Sequence, residues 1–496
     1  MKKKFIFFLI LIFLLTFAYR YYFFSQADTY SSSDSYFALR QIESVKETNK
    51  VFFEDDLSFG GRRQFFMPTF YLLLGFLTKI FGEFIALRII PNLIAGLVVF
   101  IVFSISKEIT GNDGASLVSA FVAGFLPIFH YLTINSINGH AIIAPVFLLA
   151  LNYLIKCAKS KKKFPHLIIS SVFLIILSPF SFIFILSIWI YILLIKIDNK
   201  EAKKYIFEFA LFTSLLWYSI YYFIFKEGAF KLSTNVFMMG IPTQLYTKYF
   251  TAFTLIRAFS GIGLIVVFLG IFGAWKAISK EEKVTMNFAL GATFVVILIM
   301  AFLRFFRLSV ALSYFGFIVI ILASITLADI FVYTRKLKHE ILRNILSSAI
   351  VIMTILFTVG STFYESNLAV SNRVTDETLH AVEWLKNQPS GVVAGNYNEG
   401  NLISFYSNNA NVMDTNFGWG LNTKDRINDL RKLYTNPFQT QALEVTDKYN
   451  IRYIIFSPET REMFGETELD YVENTDCFPL IYDDKIKIYE VKCNLG

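Results

Sequence analysis

Long apolar runs separated by short lysine-rich loops constrain this 496-residue sequence more than any other feature. The first run, from Phe5 to Phe24, follows Met-Lys-Lys-Lys and has aromatic residues at its ends, with no small-residue cleavage site. Because about 20 apolar residues cross a bilayer as a helix, we predict a retained first span and not a signal peptide. Charged residues make up only 17% of the chain, against about 25% in soluble domains. The sequence therefore predicts a polytopic membrane protein.

The lysines of the short loops predict the orientation of the spans. The further spans are predicted over 84–106, 115–133, 141–156, 167–177, 180–197, 203–225, 256–277, 284–303, 308–333 and 344–360. The apolar run 65–82 is short and contains Pro68, so we expect an interfacial or re-entrant helix there. Every lysine-dense loop then falls in the cytoplasm, as the positive-inside rule requires. This predicts about eleven spans and a cytoplasmic N-terminus in the cell membrane, although 167–197 could instead be one kinked helix.

A change in composition near residue 361 predicts two domains. Residues 1–360 form a transmembrane domain whose first external loop, 25–82, is large and carries interfacial helices. In residues 361–496, helical and strand patterns alternate, which predicts a small α/β domain on the extracytoplasmic side. Its strands are predicted at Gly391-Val-Val-Ala, Asn411-Val-Met-Asp and Arg452-Tyr-Ile-Ile-Phe. Cys477 and Cys493 are close enough in sequence to pair if this end faces an oxidising compartment.

The first external loop holds the most distinctive polar cluster of the sequence, Asp34-Ser-Tyr-Phe-Ala-Leu-Arg-Gln-Ile-Glu. As a helix it places Tyr36, Arg40 and Glu43 on one face, with Asp34 at the start, where a cap residue belongs. Charged groups beside a membrane are costly unless they are solvated or bound to something. The cluster therefore indicates a functional site, and the alternative is a capped helix that only lies on the bilayer.

Two further sets of charged residues bear on the chemistry. Arg304 and Arg307 lie between two predicted spans, where guanidinium groups either extend to the interface or bind phosphate oxygens in pairs. The pair Asp55-Asp56 is predicted to be a solvated loop. Carboxylates can hold a divalent cation such as Mg or Mn, and cations neutralise a phosphate leaving group. An acidic loop and arginines on one face of a bundle thus suit sugar transfer from a lipid-linked phosphate.

Two other classes of function remain open at this point. A transporter or flippase usually places ionisable groups at mid-bilayer and has repeated halves, whereas the predicted span interiors carry almost no charge. A non-catalytic scaffold would keep the bundle and lose the acids. The net charge of +8 comes from loop lysines, so nucleic acid is not an expected partner.

The sequence resembles a known family in several segments. They are Asp34 to Glu43, Phe59-Gly-Gly-Arg62, Pro68-Thr-Phe-Tyr-Leu-Leu, Phe84 to Gly96, Ala381-Val-Glu-Trp-Leu-Lys, Gly391-Val-Val-Ala, Glu399-Gly400-Asn-Leu-Ile and Val412-Met-Asp414. Together they resemble the GT-C superfamily of membrane glycosyltransferases, and most of all the archaeal oligosaccharyltransferase catalytic subunit and polyprenyl-phosphate-sugar-dependent transferases. The resemblance covers nearly the whole chain. It implies a GT-C-type helical bundle with a C-terminal α/β domain.

The resemblance implies roles for individual residues. Asp34 is similar to the first-loop acid that acts as a base toward the acceptor or binds a metal. Arg304 or Arg307 is similar to the arginine that contacts the donor phosphate, and from its place in the first-loop cluster we also expect Arg40 to bind that phosphate. Supporting positions are Tyr36, Glu43 and Asn138. His140 is the second candidate metal ligand, since the second external loop has Asn135, Ser136, Asn138 and His140 where the family has an acid.

On the acceptor side, Gly400 corresponds to the glycine that ends the family's WWDYG motif. The five residues here are Asn396 to Gly400, so the tryptophans and the aspartate are missing. Tyr397, Glu399 and Trp419 are the residues expected near the acceptor. The resemblance implies a glycosyltransferase that uses a polyprenyl-linked donor and a protein, glycan or lipid acceptor among membrane lipids. Transfer of an oligosaccharide and transfer of a single sugar are both open.

Overall fold

The structure, a computed structural model, describes residues 3–198, 203–231, 254–279, 284–420 and 422–495. Up to residue 371 its elements are α1 (Lys3–Phe24), α2 (Ser33–Thr48), β1 (Glu54–Asp55), β2 (Arg62–Arg63), α3 (Thr69–Phe81), α4 (Ile90–Gly96), α5 (Val98–Thr110), α6 (Asp113–Gly124), α7 (Pro127–Thr133), α8 (His140–Lys159), α9 (Phe164–Leu177), α10 (Ser181–Ile197), α11 (Lys204–Lys231), α12 (Leu255–Ile262), α13 (Leu264–Ser279), α14 (Val284–Phe302), α15 (Leu308–Arg335) and α16 (Glu340–Ser371). A π-helical turn, Ile85–Ile89, leads into α4.

The C-terminal segment alternates between helices and strands. Its elements are α17 (Asp376–Leu385), β3 (Val392–Ala394), α18 (Gly400–Ser407), β4 (Ala410–Asn411), α19 (Thr423–Thr435), α20 (Gln439–Tyr449), β5 (Ile451–Phe456), α21 (Pro458–Phe464), β6 (Leu480–Asp483) and β7 (Lys487–Glu490).

The described residues belong to two compact units. The first unit draws on Met1–Asp28, Phe81–Phe223 and Tyr249–Ser371, and the second draws on Thr29–Ile80, Ile224–Lys248 and Asn372–Gly496. The second unit therefore combines the segment after the first helix with the C-terminal segment, so that residues far apart in sequence share one fold.

The first unit is a helical bundle around α15. This helix packs against α5, α6, α7, α13, α14 and α16, and it is buried from Leu308 to Ala328 at nearly every position. Helix α13 approaches it so closely that a Cβ at residue 273 would lie 2.0 Å from the carbonyl oxygen of Leu322. Only glycine fits at Gly273 without moving one of the two backbones.

Within the described ranges, seven helices are long and apolar enough to cross a membrane, or eight if one bent pair counts as a single span. They give this unit the character of a multi-pass membrane protein. The apolar helices α3 and α10 are shorter than a usual span, and the predicted number of eleven spans stays a prediction.

Two predicted spans are interrupted. The predicted helix 256–277 is the bent pair α12 and α13, which meet at 102° because Gly263 adopts a φ of 103°, outside the helical range. The predicted helix 115–133 is divided between α6 and α7, since Pro127 disfavours a helical conformation at Leu126, whose ψ is 114°. Residues 167–197 form two helices, α9 and α10, as predicted, and not the alternative of one kinked helix.

Helix α16 continues to Ser371, beyond the predicted end of the last span and across the predicted domain boundary at 361. Its buried face includes polar residues, among them Thr358, Thr362 and Glu365. Both oxygens of Glu365 accept hydrogen bonds from the guanidinium of Arg257, at 2.8 and 3.2 Å. The polar composition that suggested the end of the bundle therefore lies inside the first unit.

The second unit contains a five-stranded sheet in the order β4-β3-β5-β7-β6. Strands β4, β3 and β5 are parallel, and β7 and β6 continue the sheet antiparallel. The predicted strands near 391, 411 and 452 all lie in this sheet, so the predicted C-terminal α/β fold is confirmed. Strands β6 and β7 were not predicted from the sequence. Cys477 and Cys493, which flank these two strands, form a disulfide.

The segment that carries α2 is bound to the C-terminal segment by hydrogen bonds within the same unit. The Thr29 hydroxyl donates to the backbone carbonyl of Val374 at 2.8 Å, and the backbone amide of Asn411 donates to the backbone carbonyl of Leu57 at 2.8 Å. Helix α2 packs on α18, where the ring of Tyr36 lies against two aromatic rings of that helix.

A buried ion pair completes this connection. Arg62 Nη2 donates to Asp414 Oδ1 at 2.9 Å, and the two side chains are 3% and 0% exposed. The Ser58 hydroxyl donates to Asp414 Oδ2 at 2.5 Å, and Arg62 Nη1 donates to the carbonyl of Asn416 at 2.9 Å. The guanidinium also lies 4.1 Å from the centre of the Phe59 ring.

We predict that Arg62→Ala lowers the free energy of unfolding of the second unit by about 3–5 kcal/mol, because it leaves the Asp414 carboxylate buried and unpaired. The adjacent Arg63 is the matched control. Its side chain is 48% exposed in its ion pair with Glu227, so Arg63→Ala should change the same quantity by less than about 0.5 kcal/mol. Pulse proteolysis in urea on detergent-solubilised protein measures both. Equal effects of the two substitutions would contradict this account of the ion pair.

Candidate active site

Asp34 lies in the first turn of α2, and its side chain is partly exposed. The Thr415 hydroxyl donates to Asp34 Oδ1 at 2.5 Å across 381 residues of sequence. Asn401 Nδ2 donates to Thr415 Oγ1 at 2.9 Å and reaches Ser33 Oγ at 3.4 Å. Asp34 is thus held by a hydroxyl of the C-terminal segment, and an amide of the same segment holds that hydroxyl in turn, all within the second unit.

The Asp34 carboxylate also affects a tyrosine of α3. Burial, and after it the negative charge of Asp34, raise the pKa of the Tyr71 hydroxyl. A charge that acts on Tyr71 in this way must lie near it. The surroundings of Asp34 therefore include a phenol as well as the Thr415 hydroxyl.

The loop that carries Thr415 is fixed from two sides. The backbone amide of Asn416 donates to Asp414 Oδ1 at 2.8 Å, so the carboxylate that binds Arg62 also orders its own loop. On the other side a Cβ at residue 400 would lie 2.1 Å from the carbonyl oxygen of Met413. Gly400, identified in the sequence through the family motif, allows α18 to begin directly against this loop.

Tyr36, Arg40 and Glu43, which were predicted to share one face of α2, lie in different environments. Tyr36 is buried and donates to the carbonyl of Tyr30 at 3.1 Å, whereas Glu43 is exposed. Arg40 binds Asp55 with two hydrogen bonds, Nη2 to Oδ1 at 2.6 Å and Nη1 to Oδ2 at 3.1 Å. A donor-phosphate role for Arg40 stays a prediction, and the guanidinium already has a carboxylate partner.

Two expectations for this segment are wrong. Asp55 is 2% exposed and not solvated, because Arg40 and the Gln64 amide satisfy its oxygens; its neighbour Asp56 is exposed as predicted. The N-cap of α2 is Ser32, and Asp34 lies inside the first turn. A carboxylate at this position still interacts favourably with the positive end of the helix dipole.

Of the expected acceptor-side residues, Glu399 is the most perturbed. It is 4% exposed, and Ser457, Thr460 and the backbone amide of Asn396 donate to it. Burial, followed by the charge of Glu459, raises its pKa to about 7. Its partners thus belong to the interior of the second unit.

The other two residues expected near the acceptor are Tyr397 and Trp419. Tyr397 is 7% exposed and packs its ring against Phe417. Trp419 ends a short 3-10 turn, Phe417–Trp419, and its side chain lies outside the described part of the structure. Their roles toward an acceptor stay predictions.

The first unit brings together another set of predicted residues. His140 begins α8, and its backbone amide donates to Asn138 Oδ1 at 2.9 Å. Its Nδ1 lies 2.9 Å from the hydroxyl of Tyr314 on α15. Arg307, the N-cap residue of α15, is close enough to His140 to interact with it electrostatically.

Arg304 lies in the link between α14 and α15. It adopts a φ of 57°, a left-handed conformation that is uncommon for a residue with a side chain. Arg304, Arg307 and His140 belong to the first unit and Asp34 to the second. The phosphate-binding and metal-binding roles of the first-unit residues stay predictions.

A divalent cation would need several oxygen or nitrogen ligands. Among the residues that the structure describes, no three His, Cys, Asp or Glu side chains are grouped closely enough to hold one. In the second unit, Asp55 and Asp414 are bound to arginines, which leaves Asp34 as a single carboxylate beside a hydroxyl. This donor set does not fit a firmly held metal.

Sequence reasoning missed Thr415 and Asn401 and did not pair Arg62 with Asp414. The family resemblance identified the segments that contain several of these residues, Phe59-Gly-Gly-Arg62, Glu399-Gly400-Asn-Leu-Ile and Val412-Met-Asp414, but not their contacts. Their contacts join positions more than 350 apart, and no local spacing records such a pairing.

Comparison with known proteins identifies the fold. No family model matches the sequence, and no curated protein matches it. The apo oligosaccharyltransferase of Archaeoglobus fulgidus matches with a TM-score of 0.70 at 13% identity, over 95% of this chain and 72% of that chain. ArnT from Cupriavidus metallidurans, bound to undecaprenyl phosphate, matches with a TM-score of 0.55 at 10% identity, over 99% and 98% of the two chains. The arabinofuranosyltransferase AftD from Mycobacteria matches with a TM-score of 0.54 at 10% identity, over 98% of this chain and 40% of that chain.

Other structures of the Archaeoglobus enzyme hold an inhibitory peptide with a dolichol-phosphate, or zinc with sulfate. At these identities the likeness shows the fold alone, which this chain shares with the oligosaccharyltransferase, ArnT and AftD. The predicted fold class, a helical bundle with a small C-terminal α/β domain, is confirmed at this level.

We predict that Glu399→Gln removes a pH dependence of the stability of the second unit. A carboxyl whose pKa is raised from 4.5 to about 7 on folding stabilises fully below pH 4.5, and this contribution is lost as the pH rises to 7. The wild type should lose about 3 kcal/mol over this window relative to Glu399→Gln. Pulse proteolysis of the full chain at pH 5 and pH 8 measures the difference. The same pH dependence in both proteins would show that Glu399 titrates normally.

Proposed function

We propose that this protein is an integral membrane glycosyltransferase that transfers a sugar or oligosaccharide from a polyprenyl-phosphate or polyprenyl-pyrophosphate donor to an acceptor on the extracytoplasmic face. The observation that carries the proposal is the likeness in fold, over at least 95% of this chain, to three membrane enzymes that include an oligosaccharyltransferase and an arabinofuranosyltransferase. The partly exposed Asp34, at the position of the family's first-loop acid, supports it.

In the proposed reaction Asp34 acts as the general base. Its carboxylate takes the proton from the acceptor nucleophile, whose electron pair forms a new bond to the anomeric carbon of the sugar. The bond between that carbon and the phosphate oxygen breaks, and the polyprenyl phosphate or pyrophosphate leaves with the electron pair. Arg304 and Arg307 would stabilise the negative charge that develops on the leaving oxygen.

The proposed orientation places the N-terminus in the cytoplasm and the second unit outside. The lysine-dense loops support it through the positive-inside rule. The disulfide between Cys477 and Cys493 supports it independently, since disulfides persist in oxidising compartments and are rare in the cytosol.

Two kinds of donor fit the proposal. Transfer of an oligosaccharide is supported by the higher TM-score of the oligosaccharyltransferase. Transfer of a single sugar is supported by the arabinofuranosyltransferase AftD, which matches over 98% of this chain, and by the missing tryptophans and aspartate of the acceptor motif at Asn396 to Gly400. An assay with three donors separates single-sugar transfer from oligosaccharide transfer. The donors are dolichol-phosphate mannose, dolichol-phosphate glucose and dolichol-pyrophosphate chitobiose. The acceptors are an Asn-Val-Thr peptide and a total lipid extract.

We predict that Asp34→Asn lowers the rate of sugar transfer by about 100- to 10,000-fold, the usual contribution of a general base. Asp56→Asn is the matched control, because Asp56 is an exposed acid of the same segment, and it should transfer at the wild-type rate. Release of radiolabelled sugar from the three donors measures both in purified full-length protein. EDTA and added Mg or Mn in the same assay test the predicted cation.

The alternative functions, a scaffold and a transporter or flippase, give different results. A scaffold shows no sugar transfer by the wild type with any donor. A transporter or flippase moves the donor across the membrane of vesicles, at a rate that Asp34→Asn does not change. Transfer that is equally fast in wild type and Asp34→Asn would exclude the proposed base.

We predict that Arg307→Gln raises the KM for the lipid-linked donor or lowers kcat by about tenfold or more, through loss of a charged hydrogen bond to phosphate. Arg335→Gln is its control. Arg335 ends the same helix, α15, at its exposed other end, about 42 Å away at 1.5 Å per residue. Steady-state kinetics on both variants measure these changes. Equal effects of the two substitutions would show that Arg307 does not bind the donor.

A further inference from the structure

The hydrogen bonds around Asp34 have a fixed direction. An ionised carboxylate can only accept, so the Thr415 hydroxyl must give its one hydrogen to Asp34 Oδ1. Thr415 Oγ1 can then take part in a second bond only as an acceptor. Asn401 Nδ2 provides that second bond, at 2.9 Å. The order of donation runs from Asn401 through Thr415 to Asp34.

The side-chain amide of Asn401 is oriented by the hydrogen bonds that it donates. Asn401 is fully buried, and its carbonyl oxygen finds no hydrogen-bond partner among the described residues. Reversing the amide would direct that oxygen at Thr415 Oγ1, whose hydrogen is already used on Asp34. A buried unsatisfied oxygen is unfavourable, and the donations to Thr415 at 2.9 Å and to Ser33 at 3.4 Å compensate for it in this orientation.

Thr415 is also rigidly placed. It is 7% exposed and follows Asp414, whose carboxylate is bound by Arg62 and Ser58. The start of α18 at Gly400 leaves no space on the other side of the loop. A carboxylate rotates easily about its last torsion, and a rigid hydroxyl on one oxygen limits that rotation.

We propose that Thr415, supported by Asn401, is a positioning residue that fixes the Asp34 carboxylate for proton transfer. The inference rests on the proposed function, because it assigns a partner to the proposed base. It makes the C-terminal segment a part of the catalytic apparatus through a single hydroxyl, in addition to any role of that segment in binding the acceptor.

Four single variants and one double variant test the proposal, with the dolichol-linked donor that the wild type uses fastest among the three named above. Thr415→Val keeps the shape and removes the hydroxyl, and kcat should fall about 10- to 100-fold while the donor KM changes less than about twofold. Thr415→Ser restores the hydroxyl and should recover kcat to within about threefold of wild type. Thr446→Val is the matched control, since Thr446 is also buried in the second unit and its hydroxyl donates to its own helix, at the carbonyl of Leu443. It should leave kcat and the melting temperature unchanged.

The fourth single variant, Asp34→Asn, and the double variant Asp34→Asn/Thr415→Val separate the inference from the proposed function. If Thr415 acts through Asp34, the double variant should be no slower than Asp34→Asn alone. Full activity in Asp34→Asn would overturn the proposed function itself. An impaired Asp34→Asn with a fully active Thr415→Val would overturn only the inference.

Two further results would count against the inference. They are equal losses in Thr415→Val and Thr415→Ser, and effects of Asp34→Asn and Thr415→Val that multiply in the double variant. If Thr415→Val does not fold, Asn401→Leu replaces it. This variant removes the amide donor and keeps the Thr415 hydroxyl, and wild-type kcat in folded Asn401→Leu would overturn the support assigned to Asn401.

Discussion

A buried carboxylate is tolerated in a protein only when a partner compensates for its lost hydration, and this requirement governs the second unit. Asp414 is fully buried, and its partner Arg62 lies 352 residues earlier in the chain. Neither residue is stable in its position without the other. The segment after the first helix and the C-terminal segment therefore order each other.

The acids of the second unit differ in what their surroundings allow. Asp55 and Asp414 are neutralised by arginines inside the unit. Glu399 is surrounded by hydroxyls and an amide, with its pKa raised by burial. Asp34, by contrast, is partly exposed and is oriented by Thr415. Of these four carboxylates, Asp34 alone combines access with orientation, which is what a general base requires.

The sequence predicted the features that depend on local periodicity and composition. The apolar runs indicated most helices of the first unit, and alternating patterns indicated the parallel strands β3, β4 and β5. The breaks at Gly263 and Leu126 were missed because one glycine or one proline does not alter the hydropathy of a run. The end of α16 was misplaced because its polar residues, such as Glu365, are buried against partners that hydropathy does not report.

The candidate site was predictable only in part, for a different reason. Asp34 was identified because an acid cluster after a first span is unusual in itself and matches a family motif. The burial of Asp55 and the contacts of Thr415 and Asn401 arise from chain folding over hundreds of residues. Such contacts are set by tertiary packing, and a single sequence carries no periodic signal for them.

Cross-linking tests whether the two segments of the second unit remain joined to each other while sugar is transferred. The Ser404 hydroxyl donates to the carbonyl of Leu57 at 3.1 Å, so Leu57→Cys/Ser404→Cys places two thiols where a short bifunctional thiol reagent can join them. We expect the joined protein to form in high yield and to transfer sugar at the rate of the unjoined protein. Failure of the thiols to react together in the folded protein, or loss of transfer once they are joined, would show that the two segments do not act as one unit.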